Sequence, residues 1–418
     1  MSMDSKVPEV RFKGFSGEWD EEILGELVKL ENGFAFQSKY FKKTPTEVIV
    51  LTPGSVNIGG GFQAGKGQYY DEKQEVSSKY VFKPGDMFIT MTDLTPTAQA
   101  LGFPAIIPKD ENTYLHNQRL GKLVGFNGDL AFLYSLLCTM KKQKEVVSTS
   151  SGTTVKHTSP DKFLNRICLF PNKEEQTQIG NYFQKLDSLI NQHQQKHDKL
   201  SNIKKAMLEK MFPKQGEVIP EIRFKGFSGA WEEKALNRIA EKITDKNISI
   251  LYCETFTNSA EFGIISQRDY FDKDISNSNN ISGYYVVQPD NFVYNPRIST
   301  LAPCGPINRN TLERVGIMSP LYTVFKIKGV NAIFIEYFFQ TKLWHNFMFL
   351  NGDTGARADR FSIKDSVFFE LPLLVPTVDE QTAIGNYFQK LDALINQHQQ
   401  QITKLNNIKQ ACLSKMFI

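Results

Sequence analysis

The sequence lacks the features of a disulfide-stabilised protein and of a membrane protein. Its 418 residues hold 5 cysteines, which are scattered and form neither a CxxC pair nor a cluster with histidine at metal-ligand spacing. No run of about 18 apolar residues occurs, and the N-terminal segment MSMDSKVPEV has no apolar core like that of a signal peptide. These absences predict a soluble, cytoplasmic protein with reduced thiols, no metal site and no membrane association.

An excess of one charge sign is also lacking. The 49 basic residues nearly balance 45 acidic ones, and the formal charge of +4 is far below that of a histone-like protein. Charge alone therefore does not indicate a nucleic-acid partner. With 41% hydrophobic and 22% charged residues, the chain has enough apolar content for two or more cores, which excludes a disordered protein.

Intact catalytic motifs are missing as well. The segment GGFQAGKG (60–67) approaches a phosphate-binding loop, but position 67 is glycine where a Ser or Thr must ligate magnesium. The segment NPR (295–297) begins like the adenine-methyltransferase motif and lacks its second proline and its aromatic residue. No HExxH, GxSxG or GxGxxG sequence stands in a convincing context. We therefore expect no catalytic activity and no cofactor bound by this chain.

What the sequence does contain is an internal repeat. Residues 7–19 (VPEVRFKGFSGEW) return at 219–231 (IPEIRFKGFSGAW) with 10 of 13 positions identical, and we call each copy the box. Residues 176–195 return at 381–400 with 18 of 20 positions identical. The regions between the repeats are unlike. Two copies of one scaffold with two different inserts predict a protein that presents two surfaces, which is an adaptor's task more than that of a single active site.

The second repeated segment predicts a long helix in each half. Its apolar and histidine positions alternate at spacings of four and three, as in a coiled-coil seam, and neither proline nor glycine lies between 181 and 212. A helix of about 30 residues spans about 45 Å. The expected helix-pair interface comprises Ile179, Phe183, Leu186, Ile190, His193, Leu200, Ile384, Phe388, Leu391, Ile395, His398 and Leu405. We expect the two helices to pair antiparallel within the chain, with dimerisation between chains as the alternative.

The seam changes towards the end of each helix. Its strict spacing falls on Lys204 and Lys409, while Ile203 and Ile408 offer an apolar side chain one residue earlier. We therefore expect the packing to shift at these positions.

The two inserts predict mixed α/β domains on a similar skeleton. Residues 80–92 and 285–297 both read as two β-rich runs around a proline-led turn. Helices are expected at 129–140 and 331–344, with Asp129 and Asn331 as caps or first-turn residues, and a Gly/Thr-rich basic segment follows each. The expected fold class is α/β (α+β), with two such domains separated by a pair of long antiparallel coiled-coil helices. The expected boundaries are 1–172 and 213–377 for the domains, and 173–212 and 378–418 for the helices.

The boxes, the two inserts and the segments EQTQIGNYFQKLD (175–187) and EQTAIGNYFQKLD (380–392) together resemble the specificity subunit of a Type I restriction-modification system. The resemblance covers nearly the whole chain. It implies two target-recognition domains that each read one half of a bipartite, asymmetric site on double-stranded DNA. It also implies that the paired helices set the spacing of the half-sites and dock two modification subunits.

The resemblance further implies what this chain does not do. S-adenosylmethionine would be bound by the methylating modification subunits, and ATP and magnesium by partner subunits that include the restriction (translocase and nuclease) subunits. A helix of about 45 Å corresponds to about 13 base pairs at roughly 3.4 Å each, which suits separated half-sites. The family has no fixed motif of DNA-contacting residues to carry over, so individual contacts must be chosen by side-chain chemistry.

Cations suit phosphates, whereas Arg, Asn and Gln suit base edges, so we selected such residues in the loops of each insert. In the first insert the DNA-binding candidates are Lys39, Lys42, Lys43, Lys66, Gln68, Thr92, Gln99, Lys156 and His157. In the second they are Arg268, Arg297, Ser299, Arg309, Arg357 and Arg360. Each could equally be a solvated surface group. An alanine at Arg357 is expected to weaken DNA binding.

Two repeated residue pairs have both a functional and a structural interpretation. His193 and His398 occupy equivalent seam positions, where a metal or proton-sensitive contact is the alternative to ordinary packing. Trp19 and Trp231 could stack on bases, but they stand in a repeated box, and residues that read different half-sites should differ. We expect both pairs to serve the scaffold.

Two other functions remain open at the level of sequence. A tandem scaffold that bridges two proteins without touching DNA would show binding that does not depend on salt. An enzyme with an unrecognised site is the other alternative, for which the chain offers only incomplete motifs. Neighbouring genes for a methyltransferase and an ATPase would favour the DNA-specificity interpretation.

Overall fold

The computed structural model describes residues 6–95, 97–271, 278–354 and 359–418. All five cysteines lie in these ranges, and none forms a disulfide. Within the same ranges, no helix is both long enough and apolar enough to cross a bilayer.

The first half combines short strands with five helices, the last of which is long. Its strands are β1 (Asp20–Ile23), β2 (Lys29–Asn32), β3 (Val48–Val50), β4 (Gln68–Tyr69), β5 (Met87–Thr90), β6 (Thr92–Asp93), β7 (Pro104–Ile106), β8 (Thr113–Leu115), β9 (Leu120–Val124), β10 (Lys156–His157) and β11 (Ile167–Phe170). Its helices are α1 (Leu24–Leu27), α2 (Leu130–Leu137), α3 (Met140–Ser148), α4 (Pro160–Leu164) and α5 (Lys173–Lys210). Single 3₁₀ turns lie at Ser38–Tyr40, Pro53–Ser55 and Ser78–Tyr80.

The second half repeats this plan. Its strands are β12 (Glu232–Ala235), β13 (Ala240–Lys242), β14 (Phe256–Ser259), β15 (Gly263–Ser266), β16 (Tyr285–Val287), β17 (Phe292–Tyr294), β18 (Ile307–Arg309), β19 (Gly316–Met318), β20 (Thr323–Ile327) and β21 (Pro372–Val375). Its helices are α6 (Leu236–Ile239), α7 (Gln267–Phe271), α8 (Ala332–Phe339), α9 (His345–Asn351), α10 (Asp365–Phe368) and α11 (Val378–Lys415), and Ser278–Gly283 forms a 3₁₀ helix.

Each half is organised around one antiparallel four-stranded sheet. The strand order is β2-β9-β5-β7 in the first half and β13-β20-β17-β18 in the second. In both halves the strand after the box pairs antiparallel with the strand that leads into the long helix, as β1 with β11 and β12 with β21. The predicted mixed α/β class with two long helices is confirmed.

Local side-chain chemistry sets where the short helices start. Asp129 Oδ1 accepts a hydrogen bond from Phe132 N (2.8 Å), and Asn331 Oδ1 accepts one from Ile333 N (2.9 Å), so both predicted caps are confirmed. The helices end earlier than expected, at Leu137 and Phe339. In the first half the reason is a second cap, because Thr139 Oγ1 accepts from Lys142 N (3.4 Å) and begins α3.

The chain contacts divide into two compact units, and each contains parts of both long helices. The first unit comprises residues 1–194 and 400–418, and the second comprises residues 195–399. In the first, the Phe183 and Phe417 rings lie 5.7 Å apart and Asp187 pairs with Lys409 (2.6 Å), so these helix segments run antiparallel. In the second, Phe212 lies 6.4 Å from Phe388, and Lys204 pairs with Asp392 (2.6 Å), which gives the same antiparallel pairing.

Burial of the predicted helix-pair residues decreases along each helix. The buried ones are Ile179, Phe183, Leu186, Ile384, Phe388 and Leu391. The half-buried ones are Ile190, His193, Leu200, Ile395, His398 and Leu405. Ile203 and Ile408 pack against the cores of the second and first unit, so the expected shift of one residue is confirmed. The strict seam positions, Lys204 and Lys409, instead direct their ammonium groups to aspartates of the facing segment. The domain boundaries predicted above stay a prediction.

A buried ion pair ties each box to the start of a long helix. In the first unit, Arg11 Nε and Nη2 donate to the two carboxylate oxygens of Glu175 (2.7 and 2.6 Å), and the Glu175 side chain is fully buried. The second unit has the same fork between Arg223 and Glu380 (2.6 and 2.7 Å). Each arginine also donates to a carbonyl of its own box, that of Gly17 or Gly229 (2.5 Å). This clamp explains the arginine that the two boxes share.

The glutamine that follows each of these glutamates holds the insert. Gln176 Nε2 donates to Pro171 O (2.8 Å), and its Oε1 accepts from Asp129 N (3.2 Å). Gln381 makes the equivalent bonds with Pro376 O and Asn331 N (both 2.8 Å). In each half the glutamate of the repeated Glu-Gln pair thus holds the box, and the glutamine holds the start of α2 or α8.

Gly180 in α5 lies where the cap of α2 leaves no room for a methyl group. A Cβ atom at Gly180 would lie 2.2 Å from Asp129 Oδ1, the oxygen that caps α2, whereas at Gly385 the nearest atom would be Ile333 Cγ2 at 3.1 Å. Gly180→Ala is therefore expected to destabilise the first unit by about 1–3 kcal/mol through overpacking and loss of the cap. Differential scanning calorimetry measures the change.

Gly385→Ala is the matched control. Alanine gains about 1 kcal/mol over glycine in a helix interior, which offsets the smaller crowding, so this variant should stay within about 1 kcal/mol of wild type. Equal melting temperatures for the two variants would show that the approach of α2 to α5 does not depend on this glycine.

Candidate nucleic-acid interface

Two very short strands bring candidate residues of the first half together. Strands β6 and β10 pair antiparallel, with Thr92 opposite His157 and Asp93 opposite Lys156. The backbone continues the pairing, since Thr158 N donates to Met91 O (3.0 Å). Thr92 and His157, which are 65 residues apart in sequence, therefore stand opposite each other, with Lys156 next to His157 along β10.

Asp93 fixes the loop that leaves this pair of strands. Its buried carboxylate accepts hydrogen bonds from Thr95 N and Thr95 Oγ1 (both 2.7 Å) and from Ala100 N (2.6 Å). Thr95 and Ala100, which lie on either side of Gln99, are thus held by one carboxylate. Gln99 itself is exposed, and its N–H donates to Thr95 Oγ1 (3.2 Å).

The second half forms an equivalent contact with different side chains. Arg297 and Arg360 are antiparallel bridge partners, and Phe361 N donates to Pro296 O (2.7 Å). Asn295 precedes this bridge and is buried, with its Oδ1 accepting from Arg297 N (2.9 Å). We refer to Thr92–His157 and Arg297–Arg360 as the two bridge pairs.

Hydrogen bonding makes the two bridge pairs equivalent, and the sequence offset supports this for one member of each pair. The offset from Thr92 to Arg297 is 297 − 92 = 205, and that from Ile179 to Ile384 is 384 − 179 = 205. On the opposite segment, the residue that follows each bridge partner donates to the residue that precedes the other partner. One position of a repeated frame thus carries Thr and His in the first half and two arginines in the second.

A cavity of about 880 Å³ adjoins the second bridge pair. Its lining includes both arginines of the pair, Ser299, and the aromatic residues Tyr270 and Tyr322. Aromatic faces with free cationic groups are a chemistry suited to nucleic-acid bases.

The amides in this cavity are held by the protein. Asn258 Nδ2 donates to Val293 O (2.6 Å), its Oδ1 accepts from Asn308 Nδ2 (2.7 Å), and Asn295 Nδ2 donates to Asn258 O (2.8 Å). These amides therefore shape the cavity. Gln267 Oε1, by contrast, is buried with no partner among the residues that the structure describes, which leaves one acceptor open.

The other candidates of the first half lie at its surface. Lys39 is exposed, with its ammonium 4.7 Å from the centre of the Tyr40 ring. Lys42 pairs with Asp71 (2.9 Å), and its hydrogen bond lowers the pKa of that carboxyl. Lys43, Lys66 and Gln68 are exposed. None of these five stands on the bridge pair, so their role in DNA binding stays a prediction.

The candidates of the second half differ in whether their side chains are already bound by other residues of the protein. Arg309 is paired with Glu336 (2.7 Å) and with Asp290, and only 12% of its side chain is exposed. Burial lowers the pKa of Arg309, but the charges and hydrogen bonds of Glu336 and Asp290 together outweigh this effect, and the pKa is raised. Ser299 Oγ accepts from Ala302 N (3.2 Å), and Arg268 is exposed on α7. Arg357 lies outside the described residues, so the expectation for its alanine variant stays untested.

Sequence reasoning did not single out the aromatic lining of the cavity. Tyr284 and Tyr322 lie there far from the loops chosen by charge. No local pattern marks them, because a tyrosine in a strand region usually indicates core packing. The box tryptophans are buried, as expected of scaffold residues. In the ranges that the structure describes, no cluster of His, Cys, Asp and Glu could hold a metal ion.

Comparison with known proteins identifies relatives of this architecture. Residues 16–202 match the family model described as Type I restriction modification DNA specificity domain. No curated protein sequence matches the chain. The crystal structure of a Type I restriction-modification S subunit from M. genitalium is similar over 99% of both chains, with a TM-score of 0.64 and 13% identity.

Two further structures share less of the fold. One was solved in a study of complex assembly and conformational transition of the Type I system (TM-score 0.47, 14% identity, covering 95% of this chain and 97% of that one). The other is the HsdS subunit from Thermoanaerobacter tengcongensis (TM-score 0.40, 15% identity, covering 96% of each chain). The resemblance drawn from the repeated boxes is therefore confirmed by the family model for residues 16–202, and the full-length likeness to the M. genitalium subunit confirms the fold.

Proposed function

We propose that this chain, whose residues 16–202 belong to the family of Type I restriction modification DNA specificity domains, acts throughout its length as a DNA-specificity subunit. Each half reads one part of a bipartite, asymmetric site on double-stranded DNA. The paired helices set the gap between the parts and dock two modification subunits.

The observation that carries the proposal is the equivalence of the two bridge pairs. A repeated clamp of Arg11–Glu175 and Arg223–Glu380 holds both frames in the same way, while the bridge position carries unlike side chains. A protein that bridges two identical partners gains nothing from such a difference. A protein that reads two unlike sequences requires it, because base identity is read by donors and acceptors at defined positions.

The exposed cations of the inserts are suited to contact DNA phosphates. Lysines such as Lys39, Lys43 and Lys66 supply mobile charges for phosphates, which position a protein on DNA without carrying sequence information. The modest formal charge of +4 fits a subunit that supplies part of the DNA contact of a larger assembly. Catalysis in that assembly belongs to other chains. The modification subunits bind S-adenosylmethionine, and the partner subunits, including the restriction subunits, use ATP and magnesium.

Adenine-methylation mapping tests the proposal. Cells that express this chain with its cognate modification subunit should carry one new methylated sequence with two unlike specific parts and a fixed unspecified gap. Cells that lack only this chain should not carry it, because the modification subunits then have no source of specificity.

Copurification of the two proteins is the control for this experiment. If they form a complex and methylation is nonetheless unchanged, the DNA-specificity function is wrong for this chain and the protein-bridging alternative gains support. The salt dependence of DNA binding by the purified complex separates these outcomes further, since phosphate contacts require a steep decline with salt.

A further inference from the structure

We infer that the bridge pairs are the specificity-determining positions of the two halves, and that Arg297 and Arg360 read guanine in the half-site of the second unit. This inference rests on the proposed function and deepens it. It assigns a base class to one pair and predicts a different preference for the other.

The second bridge pair places two like charges opposite each other. Side chains directly opposite each other on antiparallel segments stand about 4.5–5.5 Å apart at Cβ, and like charges there are destabilising. Arg297 and Arg360 are both exposed. Throughout the described ranges, no carboxylate forms an ion pair with either guanidinium. The fold therefore does not explain two arginines at this position.

Other arginines of the same unit, unlike this pair, are bound to carboxylates. Arg223 and Arg309 are each locked to buried or half-buried carboxylates, and Arg314 forms a two-bond fork with Glu254 (2.8 Å for both). Those arginines hold the structure together. The guanidinium groups of the bridge pair keep their donors available for a ligand outside the protein.

The two guanidinium groups match the hydrogen-bonding edge of guanine. Guanine presents two acceptors, O6 and N7, on its major-groove edge, and arginine donates to both in one plane. Adjacent base pairs are separated by about 3.4 Å, so two arginines on a bridge can address one guanine or neighbouring ones. The backbone beneath them is fixed, because Asn295 Oδ1 accepts from Arg297 N (2.9 Å) and Phe361 N donates to Pro296 O (2.7 Å).

The first bridge pair has different chemistry at the same place. Threonine offers a hydroxyl and a methyl group that contacts the thymine methyl, and histidine offers ring nitrogens without the arginine fork. The half-site read by the first unit is therefore expected to lack the guanine preference at the equivalent position. The unlike pairs make the whole target asymmetric.

The test uses the full complex with the modification subunit and the variants Arg297→Lys and Arg360→Lys. Lysine keeps the charge and loses the two-bond fork. We expect methylation mapping to show guanine preference reduced by about five- to a hundredfold at one or two neighbouring positions of one half-site, with the other half-site unchanged. The salt dependence of binding should stay as in wild type, since the charge is retained.

Arg238→Lys is the matched control, because Arg238 is exposed on α6 and does not line the cavity beside the bridge. A reciprocal variant, Thr92→Arg with His157→Arg, should introduce guanine preference into the other half-site. It keeps the inference testable if a lysine variant fails to fold, as calorimetry would show.

The outcomes distinguish the inference from the proposed function. The inference would be overturned, and the proposed function would stand, if the wild-type bipartite motif had no guanine in the affected half-site. The same holds if the lysine variants left the motif unchanged. Uniformly weaker binding with the same motif would also overturn it, since the arginines would then contact phosphate alone. No bipartite motif in wild type would overturn both.

Discussion

Arg11→Ala is expected to lower the free energy of unfolding of the first unit by about 3–5 kcal/mol. The change removes the cationic partner of Glu175, whose carboxylate is fully buried and bound by both Arg11 nitrogens. A buried charge left without its partner is among the most destabilising lesions in a protein core. Calorimetry that resolves a transition for each unit measures the loss, and Arg223→Ala should cause it in the second unit.

Lys415→Ala controls for the loss of an ion pair as such. Lys415 pairs with Glu9 (2.6 Å) at the surface, where the two side chains are 48% and 66% exposed. Exposed pairs contribute about 0–1 kcal/mol, so this variant should resemble wild type. A double variant, Arg11→Met with Glu175→Leu, should recover much of the lost stability, because it leaves no buried charge unpaired. If Arg11→Ala were no worse than Lys415→Ala, the clamp would have no structural importance.

Phe417→Ala should have an effect of similar size on the same unit, although its position lies at the far end of the sequence. The Phe417 ring packs at centroid distances of 6.3 Å from Trp19, 5.4 Å from Phe132 and 5.7 Å from Phe183. Removing a buried phenylalanine costs about 3–5 kcal/mol through lost transfer energy and the cavity left behind. Calorimetry should show a lower melting temperature for the first unit and an unchanged transition for the second.

Phe212→Ala is the reciprocal change. Phe212 packs between Trp231, Phe334 and Phe388 in the second unit, so its loss should shift the other transition. Val378→Ala, at an exposed position of α11, should change stability by no more than about 0.5 kcal/mol. If Phe417→Ala and Phe212→Ala moved both transitions equally, the two units would not unfold separately.

The elements with local signals were predictable from sequence. The two long helices follow from a seam repeated without proline, and the caps at Asp129 and Asn331 follow from side chains that accept a hydrogen bond two or three residues ahead. The drift of the seam at Lys204 and Lys409 was also visible as two lysines where apolar residues belong. The lysines' pairing with aspartates of the facing segment was not, because it depends on how that segment is aligned.

The features that depend on distant residues were not predictable. Arg11 and Glu175 are 164 positions apart, and nothing near either residue marks the other as its partner. Thr92 and His157 were both chosen as candidates, yet strands of two residues have no periodicity from which to infer that they pair. Arg309 looked like a surface cation, whereas the fold brings Glu336 and Asp290 to it from 27 and 19 residues away.

The end of a long helix contacts the start of a box in both units. In the second unit a short segment of chain joins the two, whereas in the first unit they belong to opposite ends of the sequence. In the second unit, Ile222 N donates to Lys210 O (2.9 Å) and Lys210 pairs with Glu221 (2.6 Å), with residues 211–220 joining the two sides. In the first, Val10 N donates to Lys415 O (2.9 Å) and Lys415 pairs with Glu9 (2.6 Å). The order of the elements along the chain is consequently cyclic. A short connector that joins residue 418 to residue 6 would let the chain be opened at 213–218, giving a circular permutant that keeps Phe417 and the packing inside each unit.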